Sequence, residues 1–250
     1  MIELIGVAKH YGQHIAVRQL DLTVPRGELF GFIGPNGAGK TTTIKMIGGI
    51  LAPTRGRVRI AGFDMASQPV AAKHKIGFIP DRPFLYEKLT AMEFMQFTAD
   101  VYRVNHGRLS VRAMDLLERF ALADWAEELI ESFSHGMKQR LIMCAALLHD
   151  PEVIVVDEPM VGLDPVAIRM VKDMFRDLAT QGVTFFMSTH TLAVAEDICD
   201  RIGIIHRGQM IAQGTLEDLR REVRGGAPDL EAVFLNLTEA VVERSEGSHA

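Results

Sequence analysis

The stretch GPNGAGKTT, residues 34–42, decides the fold, because it is a glycine-rich loop set between a strand and a helix. The apolar run LFGFI precedes it and the helical pattern TTIKMIGGIL overlaps its end. Its glycines let the backbone curl until successive N–H groups point inward and form a nest for an anion. Lys40 adds a charge for phosphates, and the Thr41 hydroxyl suits Mg²⁺. The stretch therefore predicts a nucleotide-phosphate site of the P-loop type.

A flexible glycine turn ahead of a helix is the plain alternative for this loop. We favour the phosphate site, because the lysine and the threonine follow the glycines at the offset that the motif requires. The helix that follows also directs its positive N-terminal end at the loop. The expected phosphate-binding residues are Gly34, Pro35, Asn36, Gly37, Ala38, Gly39, Lys40, Thr41 and Thr42.

A second strand supplies the acids that such a site needs. The segment VIVVDEP, residues 153–159, is a buried strand pattern that ends in Asp157 and Glu158. Parallel strands end together at the carboxyl edge of a sheet, where nucleotides bind. We expect Asp157 to hold Mg²⁺ and Glu158 to polarise an attacking water. The alternative is that both acids are merely solvated at a strand end.

The order of the predicted elements indicates an α/β fold, a P-loop core with a mostly parallel sheet. An antiparallel β subdomain is expected near the N-terminus, and a helical subdomain is expected as an insertion. Helices are predicted after a capping box at Thr90 and Glu93, near 110–120, near 122–131 and after Asp164. A hairpin is predicted to turn at Arg207 and Gly208.

These patterns divide the chain into one domain and a tail. We expect a single domain over 1–225, with its core at about 1–82 and 141–225 and the helical subdomain at about 83–140. Residues 226–250 are expected to form a polar, less ordered C-terminal tail.

Composition excludes several classes of protein. Of the 250 residues, 48% are apolar, enough for a large core, and the net charge of −5 gives no basic surface for nucleic acid. The cysteines, Cys144 and Cys199, form no disulfide framework or metal pattern. The start shows no signal peptide, and the longest apolar run is shorter than a membrane span. We expect a soluble chain, or one attached to a membrane only through a partner.

The segment FSHGMKQR, residues 133–140, leaves two interpretations open from the residues alone. It precedes an apolar helical pattern, so Ser134 can be a simple cap. The start of that helix can also be aimed at an anion, because helix N-termini bind phosphates.

In this order, the motifs resemble the ATP-binding subunit of an ABC transporter, over roughly residues 1–220. Tyr11 stands at the aromatic that stacks on adenine, and 133–137 stand at the Leu-Ser-Gly-Gly-Gln signature. GLDP, residues 162–165, matches the loop that crosses the dimer interface, and His190 takes the switch histidine position. Plain alternatives for Tyr11 and His190 are an exposed aromatic before a turn and a strand-end histidine.

The resemblance implies a dimer in which the signature of one subunit faces the nucleotide of the other. The segment from Ser134 to Met137 would then be both a cap and a site, with Ser134, His135, Gly136 and Met137 touching the partner's ATP. Glu158, His190 and Lys40 would carry catalysis, and Asp164 would lie in the dimer loop. ATP and Mg²⁺ are the implied substrate and cofactor.

The resemblance also implies the partners. They are an integral membrane permease, and a second copy or a homologous subunit, with the chain peripheral at the cytoplasmic face of the membrane. The insertion at about 82–132 is the expected docking surface, where Phe84, Leu85, Tyr86 and Phe94 face the permease or form the insertion's own core. The segments IPDRPFLYEKLT and LEAVFLNLT are similar to the bacterial branch that mostly exports.

The chain departs from the family pattern at three positions. His135 replaces the first signature glycine and Met137 replaces the glutamine, although a backbone N–H survives either change. We favour a His135 side chain that points to solvent over one that titrates near the phosphates. Asp81 stands where the family has glutamine, and it is either a Mg²⁺ ligand or a turn residue between Pro80 and Pro83.

Three other functions compete with the transporter subunit. A soluble ABC-type ATPase without a membrane partner is the closest alternative, although the chain lacks the second cassette and basic linker of ribosome-acting members. A nucleotide kinase would need only the phosphate loop, and an idle regulator would not need Lys40 and Glu158. The histidines that show no ligand spacing are expected at the surface or in turns: His10, His14, His74, His106, His149 and His206.

Overall fold

The computed structural model describes residues 1–223 and 227–246. The strands are β1 (Ile2–Tyr11), β2 (His14–Val24), β3 (Leu29–Ile33), β4 (Arg55–Ile60), β5 (Phe63–Asp64), β6 (Ile76–Ile79), β7 (Val153–Asp157), β8 (Thr184–Ser188), β9 (Arg201–His206) and β10 (Gln209–Gly214). The α-helices in this part are α1 (Lys40–Ile47), α2 (Pro69–His74), α3 (Ala91–Tyr102), α4 (His106–Arg119), α5 (His135–Leu147), α6 (Pro165–Thr180), α7 (Leu192–Ile198), α8 (Leu216–Glu222) and α9 (Leu230–Glu246).

All ten strands join one sheet in the order β5-β4-β1-β2-β10-β9-β3-β8-β7-β6. The half that contains β3, β8, β7 and β6 is parallel, and β3 is also parallel to β9. The other half, with β1, β2, β4 and β5, is antiparallel. The expected α/β class, with a mostly parallel core and an antiparallel part near the N-terminus, is confirmed.

Both faces of the parallel half are buried, and neighbouring residues of a strand face opposite sides. Phe185 and Phe186 show this directly, because each is fully buried in a different apolar cluster. The Phe185 face packs under α3, α4, α5 and α6, and the Phe186 face packs under α1 and the antiparallel strands. A strand buried on both sides must be apolar throughout, which accounts for LFGFI and VIVV.

Most of the predicted helix starts and turns are confirmed. The capping box at Thr90 and Glu93 opens α3, and the Asp164 carboxylate caps α6 through the N–H groups of Val166 and Ala167, at 2.9 and 2.8 Å. The hairpin of β9 and β10 turns at Arg207 and Gly208, which both have positive φ, as a tight two-residue turn requires.

The helix predicted near 122–131 is wrong. The structure has two single 3₁₀ turns there, Ala123–Trp125 and Ile130–Ser132. Leu122, Ala126 and Ile130 are buried at a spacing that imitates a helix face. The segment instead returns along the start of α3, where the Ala126 and Glu128 carbonyls accept backbone N–H groups from that helix. Tertiary contacts therefore override the local pattern.

The expected polar tail is wrong for the part of it that the structure describes. Helix α9 begins at Leu230, and both Leu230 and Val233 are fully buried. They pack with Leu219 of α8 and Ala195 of α7 over Ile202 and Ile204 of β9. None of the helices in the described ranges is long and apolar enough to cross a bilayer.

The centre of the sheet should be sensitive to the loss of Phe186. Its ring lies 5.7 Å from that of Phe30 and 5.2 Å from that of Phe32, centroid to centroid. We expect Phe186→Ala to lower the free energy of unfolding by about 3–5 kcal/mol, because it leaves a cavity in a fully buried site. Urea denaturation followed by circular dichroism measures this loss.

The control for this experiment is Val70→Ala. Val70 lies in α2 with 72% of its surface exposed, so its truncation should change the free energy of unfolding by less than about 0.5 kcal/mol. Equal effects of the two substitutions would contradict the assignment of Phe186 to the core.

Candidate functional site

The phosphate loop lies at the carboxyl end of β3 and is pressed against its neighbours. A Cβ on Gly34 would come within 2.3 Å of the Ile205 carbonyl oxygen, and one on Gly39 would come within 2.5 Å of the Ala16 carbonyl oxygen. Gly39 also has a φ of 111°, which strongly favours glycine. Lack of space therefore requires glycine at both positions, and at Gly39 the backbone conformation requires it as well.

Lys40 lies across this loop. Its ammonium donates hydrogen bonds to the carbonyl oxygens of Gly34, at 2.6 Å, and Pro35, at 3.1 Å. Burial lowers the pKa of Lys40, and the negative charges of Glu158 and Asp157 oppose this shift. The ammonium is thus held between the curled backbone and the two acids that the sequence predicted for the same site.

Strand register brings the chemical groups to one edge of the sheet. Phe32 and Asp157 both pair with Ser188, so β3, β8 and β7 end at the same level. The phosphate loop continues from β3, Thr189 and His190 continue from β8, and Glu158 continues from β7. This edge is where parallel sheets place their ligands.

Asp157 is a buried acid beside the threonine of the loop. The Thr41 hydroxyl donates to its Oδ2 at 3.4 Å. Burial raises the pKa of Asp157, and the charges of Asp81 and Glu158 raise it further. The aspartate is only 7% exposed, so it carries its charge at a cost in this environment. A cation bound at this position would remove that cost.

Glu158 is held through both oxygens of its carboxylate. Oε1 lies 2.8 Å from Nδ1 of His190, and Oε2 accepts the Thr189 hydroxyl at 3.1 Å. The backbone of Glu158 has a φ of 52°, a conformation that is unfavourable for a side chain of this kind. The sequence did not single out Thr189, although its place between Ser188 and His190 in the STH motif was the available signal.

Tyr11 is placed at the mouth of a groove beside the phosphate loop. The groove has a volume of about 240 Å³ and is lined by Tyr11, His14, Ala16, Asn36, Gly37, Gly39, Lys40, Thr41 and Thr42. The Tyr11 ring is half exposed, and the Lys9 ammonium lies 5.4 Å from its centroid. An exposed ring next to a phosphate nest can accept a nucleobase by stacking.

The signature segment forms a second group of residues on the chain. Ser134 caps α5, because its hydroxyl accepts the N–H of Met137 at 3.3 Å. The first turn of α5 packs on the loop 158–164, where a Cβ on Gly136 would lie 3.0 Å from the Gly162 carbonyl oxygen. Within the described residues, no hydrogen bond or ion pair joins this segment to the phosphate loop.

The expectation that the His135 side chain points to solvent holds only in part. It is an exposed residue, yet its ring lies against Gly162, where a Cβ would fall 2.1 Å from His135 Cδ2. His206 departs from the expected surface or turn positions, because it is buried in β9. His149 lies in the turn after α5, as expected, and stacks on Tyr102 with 3.7 Å between ring centroids, where burial lowers its pKa to about 4.

The acids of the site fit a Mg²⁺ ion shared with a nucleotide better than an ion held by protein alone. No group of three or more histidine, cysteine or acidic side chains in the described ranges could hold a metal. Asp157 and Thr41 offer hard oxygens, and Mg²⁺ is usually bound by one or two such ligands together with phosphates and water. Asp81 is exposed and acts electrostatically on Asp157, which leaves both of its interpretations open.

Comparison with known proteins gives a consistent result. The model of the ABC transporter family matches residues 17–161. The linearmycin resistance ATP-binding protein LnrL of Bacillus subtilis is 38% identical over 240 residues, which cover 96% of this chain and 77% of that protein. The daunorubicin resistance ATP-binding protein DrrA3 of Streptomyces coeruleorubidus is 36% identical over 229 residues, which cover 92% and 72%.

Solved structures share the whole architecture. An ATP-binding subunit of an ABC transporter superposes with a TM-score of 0.90 at 35% identity, and covers 95% of this chain and 99% of that one. The cassette MJ0796, dimeric and bound to ADP and phosphate in a post-hydrolysis state, has a TM-score of 0.76 at 26% identity, with 86% and 99% covered.

The raised pKa of Asp157 predicts a stability that depends on pH. A carboxyl whose pKa is higher in the folded state destabilises the fold once it ionises, so stability is lost as pH rises through the window above the ordinary aspartate pKa. We expect Asp157→Asn to melt at a higher temperature than the wild type at pH 7 without nucleotide. The difference should shrink as the pH approaches 4, and thermal melts over this pH range measure it.

The matched control is Asp124→Asn, which changes an exposed aspartate in a 3₁₀ turn. Its melting temperature should follow that of the wild type at every pH. A lower melting temperature for Asp157→Asn than for the wild type at pH 7 would show that ionised Asp157 stabilises the protein.

Proposed function

The chain belongs to the ATP-binding subunits of ABC transporters, and on this premise we propose that two copies, or one copy and a homologous subunit, close around ATP to drive a separate membrane permease. The family hydrolyses ATP, and the chain is an ATPase. The observation that carries the proposal is the common edge of β3, β8 and β7, where Lys40, Asp157, Glu158 and His190 converge.

Each residue of this edge has a step that its geometry supports. The nest of the phosphate loop and Lys40 bind the β- and γ-phosphates and stabilise the charge that develops on them. The Glu158 carboxylate orients the attacking water toward the γ-phosphate and accepts its proton. His190 and Thr189 keep that carboxylate in place, and the exposed His190 ring would contact the γ-phosphate, as its switch position in the family implies.

Asp157 and Thr41 would hold Mg²⁺ at this edge, and Asp81 can add a third oxygen. The ion supplies electrostatic stabilisation of the transferred phosphoryl group. The electrostatics of the site favour such a cation, because burial and like charge both act against the ionised form of Asp157.

The second copy completes the site from the other side. Ser134 is exposed and caps α5, so it, Gly136 and the N-terminus of this helix would offer an anion-binding surface to the other copy. Val161, on the loop 158–164, is 43% exposed, and Val166, in the first turn of α6, is 81% exposed. Loss of the γ-phosphate would then remove the contact that the two copies share.

The permease would dock on the helical segment between β6 and α5. The structure separates the residues that the sequence left ambiguous: Phe94 is buried in the core, whereas Phe84 and Tyr86 are 89% and 55% exposed. A groove of about 520 Å³ lies beside them, lined by Leu89, Thr90, Met92, Glu93, Gln96, Phe97, Asp100 and Glu127. Its lining combines apolar and acidic side chains, which suits an amphipathic segment that carries basic residues.

Export is the direction that the relatives support. The names of two of them refer to resistance to linearmycin and daunorubicin, and a third is named a bacitracin transport ATP-binding protein. We propose that this chain likewise powers export of a compound that is toxic to the cell.

Removal of the catalytic carboxylate should separate binding from turnover. We expect Glu158→Gln to bind ATP within about twofold of the wild type and to release phosphate at least 100-fold more slowly, since general-base catalysis contributes about 10²–10⁴-fold. Fluorescent nucleotide titration and a phosphate-release assay measure the two quantities. Unchanged turnover would exclude Glu158 as the base.

Glu152→Gln is the matched control for this substitution. Glu152 immediately precedes β7, at the end of this strand opposite to Glu158, and forms an ion pair with Lys75 at 2.5 Å. The substitution Glu152→Gln should therefore leave turnover close to that of the wild type.

The docking face can be tested by its exposed rings. We expect the double substitution Phe84→Ala and Phe97→Ala to reduce co-purification of a polytopic membrane protein by more than about tenfold, because aromatic anchors dominate interface energies. ATP binding should be unchanged. The experiment compares affinity capture from mildly solubilised host membranes.

Val111→Ala is the control, since Val111 is 78% exposed on α4 and does not line the groove. Capture of only soluble partners by the unaltered chain would contradict the permease proposal and favour a soluble ABC-type ATPase.

A further inference from the structure

We propose that His135 is a positioning residue that braces the loop 158–164 through its contact with Gly162 and thereby holds Glu158 in its reactive conformation. The inference rests on the proposed function, because it assigns a catalytic consequence to a contact between the signature segment and the dimer loop of the same chain. The contact itself is a feature of the fold and can be tested without turnover.

The contact between His135 and Gly162 is close and specific. A Cβ built on Gly162 would lie 2.1 Å from Cδ2 and 2.7 Å from Nε2 of the imidazole, so the ring occupies the space that a side chain at 162 would take. Gly136, in the first turn of α5, also lies close to the loop, because a Cβ on it would come within 3.0 Å of the Gly162 carbonyl oxygen. The first turn of α5 therefore covers the backbone at the middle of the loop.

The loop needs such a support because it begins in an unfavourable conformation. Glu158 has a φ of 52° and Gly162 a φ of 77°. A non-glycine residue in the left-handed region persists only where its surroundings fix it in several ways. One end of the loop is fixed by the Ser188 carbonyl, which accepts the Glu158 N–H at 2.9 Å, and the other end by Asp164 as the cap of α6.

Between these ends, the backbone hydrogen bonds within the loop are long and therefore weak. The Val161 N–H donates to the Glu158 carbonyl and the Leu163 N–H to the Met160 carbonyl, both at 3.3 Å. Gly162 has no side chain with which to anchor the turn. The His135 ring, at the start of α5, fills the space that a side chain at position 162 would occupy.

The second signature departure acts on the same region. Met137 is partly buried and packs against the same large apolar cluster on which Met160 and Leu163 of the loop also pack. Glycine and glutamine, the family residues at 135 and 137, would provide neither the ring nor the apolar side chain. Of the two departures, His135 is the one that contacts the loop after Glu158, and Met137 adds apolar packing beneath the same region.

The bracing has a kinetic signature. In the proposed dimer the start of α5 meets the partner's ATP through the Ser134 hydroxyl and backbone N–H groups, and removal of the His135 ring leaves both in place, so the KM for ATP should change less than kcat. Misplacement of the catalytic carboxylate lowers kcat instead. The ring acts by its volume, so a planar apolar ring should replace it.

The experiment compares His135→Ala and His135→Phe in the full chain. We expect His135→Ala to increase amide hydrogen exchange of the segment 158–164 without nucleotide, to lower kcat about fivefold or more and to leave KM within about twofold. His135→Phe should recover most of the lost protection and most of the lost kcat. Exchange is read by mass spectrometry, and turnover by phosphate release.

Three results would overturn the proposal. Unchanged exchange of 158–164 in His135→Ala would show that the ring does not brace the loop. Increased exchange with unchanged kcat would show that the brace does not position Glu158. A kcat for His135→Phe as low as that for His135→Ala would assign the effect to imidazole chemistry rather than ring volume.

The failure of the proposed function looks different. An unaltered chain that forms no ATP-dependent dimer and gains no activity with a permease would contradict that function, while the comparison of hydrogen exchange would still decide whether His135 braces the loop. A double-mutant cycle adds a further check: the stability cost of Gly162→Ala should be smaller in the His135→Ala background, because the clash with the ring is gone.

Discussion

The burial of the parallel sheet on both faces is the constraint on which the rest of the structure depends. β3, β7 and β8 consist almost entirely of buried residues, so these strands present their polar chemistry only where they end. The common register of the three strands brings those ends to one level. The strand ends and the loops after them carry the glycine nest, two acids, a threonine and a histidine. A site that binds a highly charged ligand is therefore a consequence of an apolar sheet.

Within a single chain, the negative charges at this edge of the sheet exceed the positive charge of Lys40. Asp157 and Glu158 lie close together, and Lys40 is the cation whose pKa responds to both of them. The start of α5 and the loop 158–164 form another polar surface, which is linked to the first through Glu158 but does not touch the phosphate loop by hydrogen bonds. Two such halves on one chain are what a nucleotide shared between two chains requires, and this supports the proposed dimer.

Sequence patterns predicted those parts of the molecule that local rules determine. Backbone conformation and spacing determine the strand-loop-helix arrangement at residues 29–47, the caps at Ser134, Thr90 and Asp164 and the turn at Arg207, and the structure confirms these. The helix near 122–131 and the polar tail were wrong, because burial against distant elements decides both. The contact of His135 with Gly162 was equally hidden, since it joins residues 27 positions apart whose pattern carries no signal.

The molar mass of the Glu158→Gln chain in solution, measured by light scattering with and without Mg²⁺ and ATP, tests the proposed dimer most directly. We expect a monomer without nucleotide, a doubled mass with ATP, and a monomer again for the double variant Glu158→Gln and Ser134→Phe, although that variant still binds ATP. A chain that binds ATP and keeps the mass of a monomer would contradict the central claim that two copies close around the nucleotide.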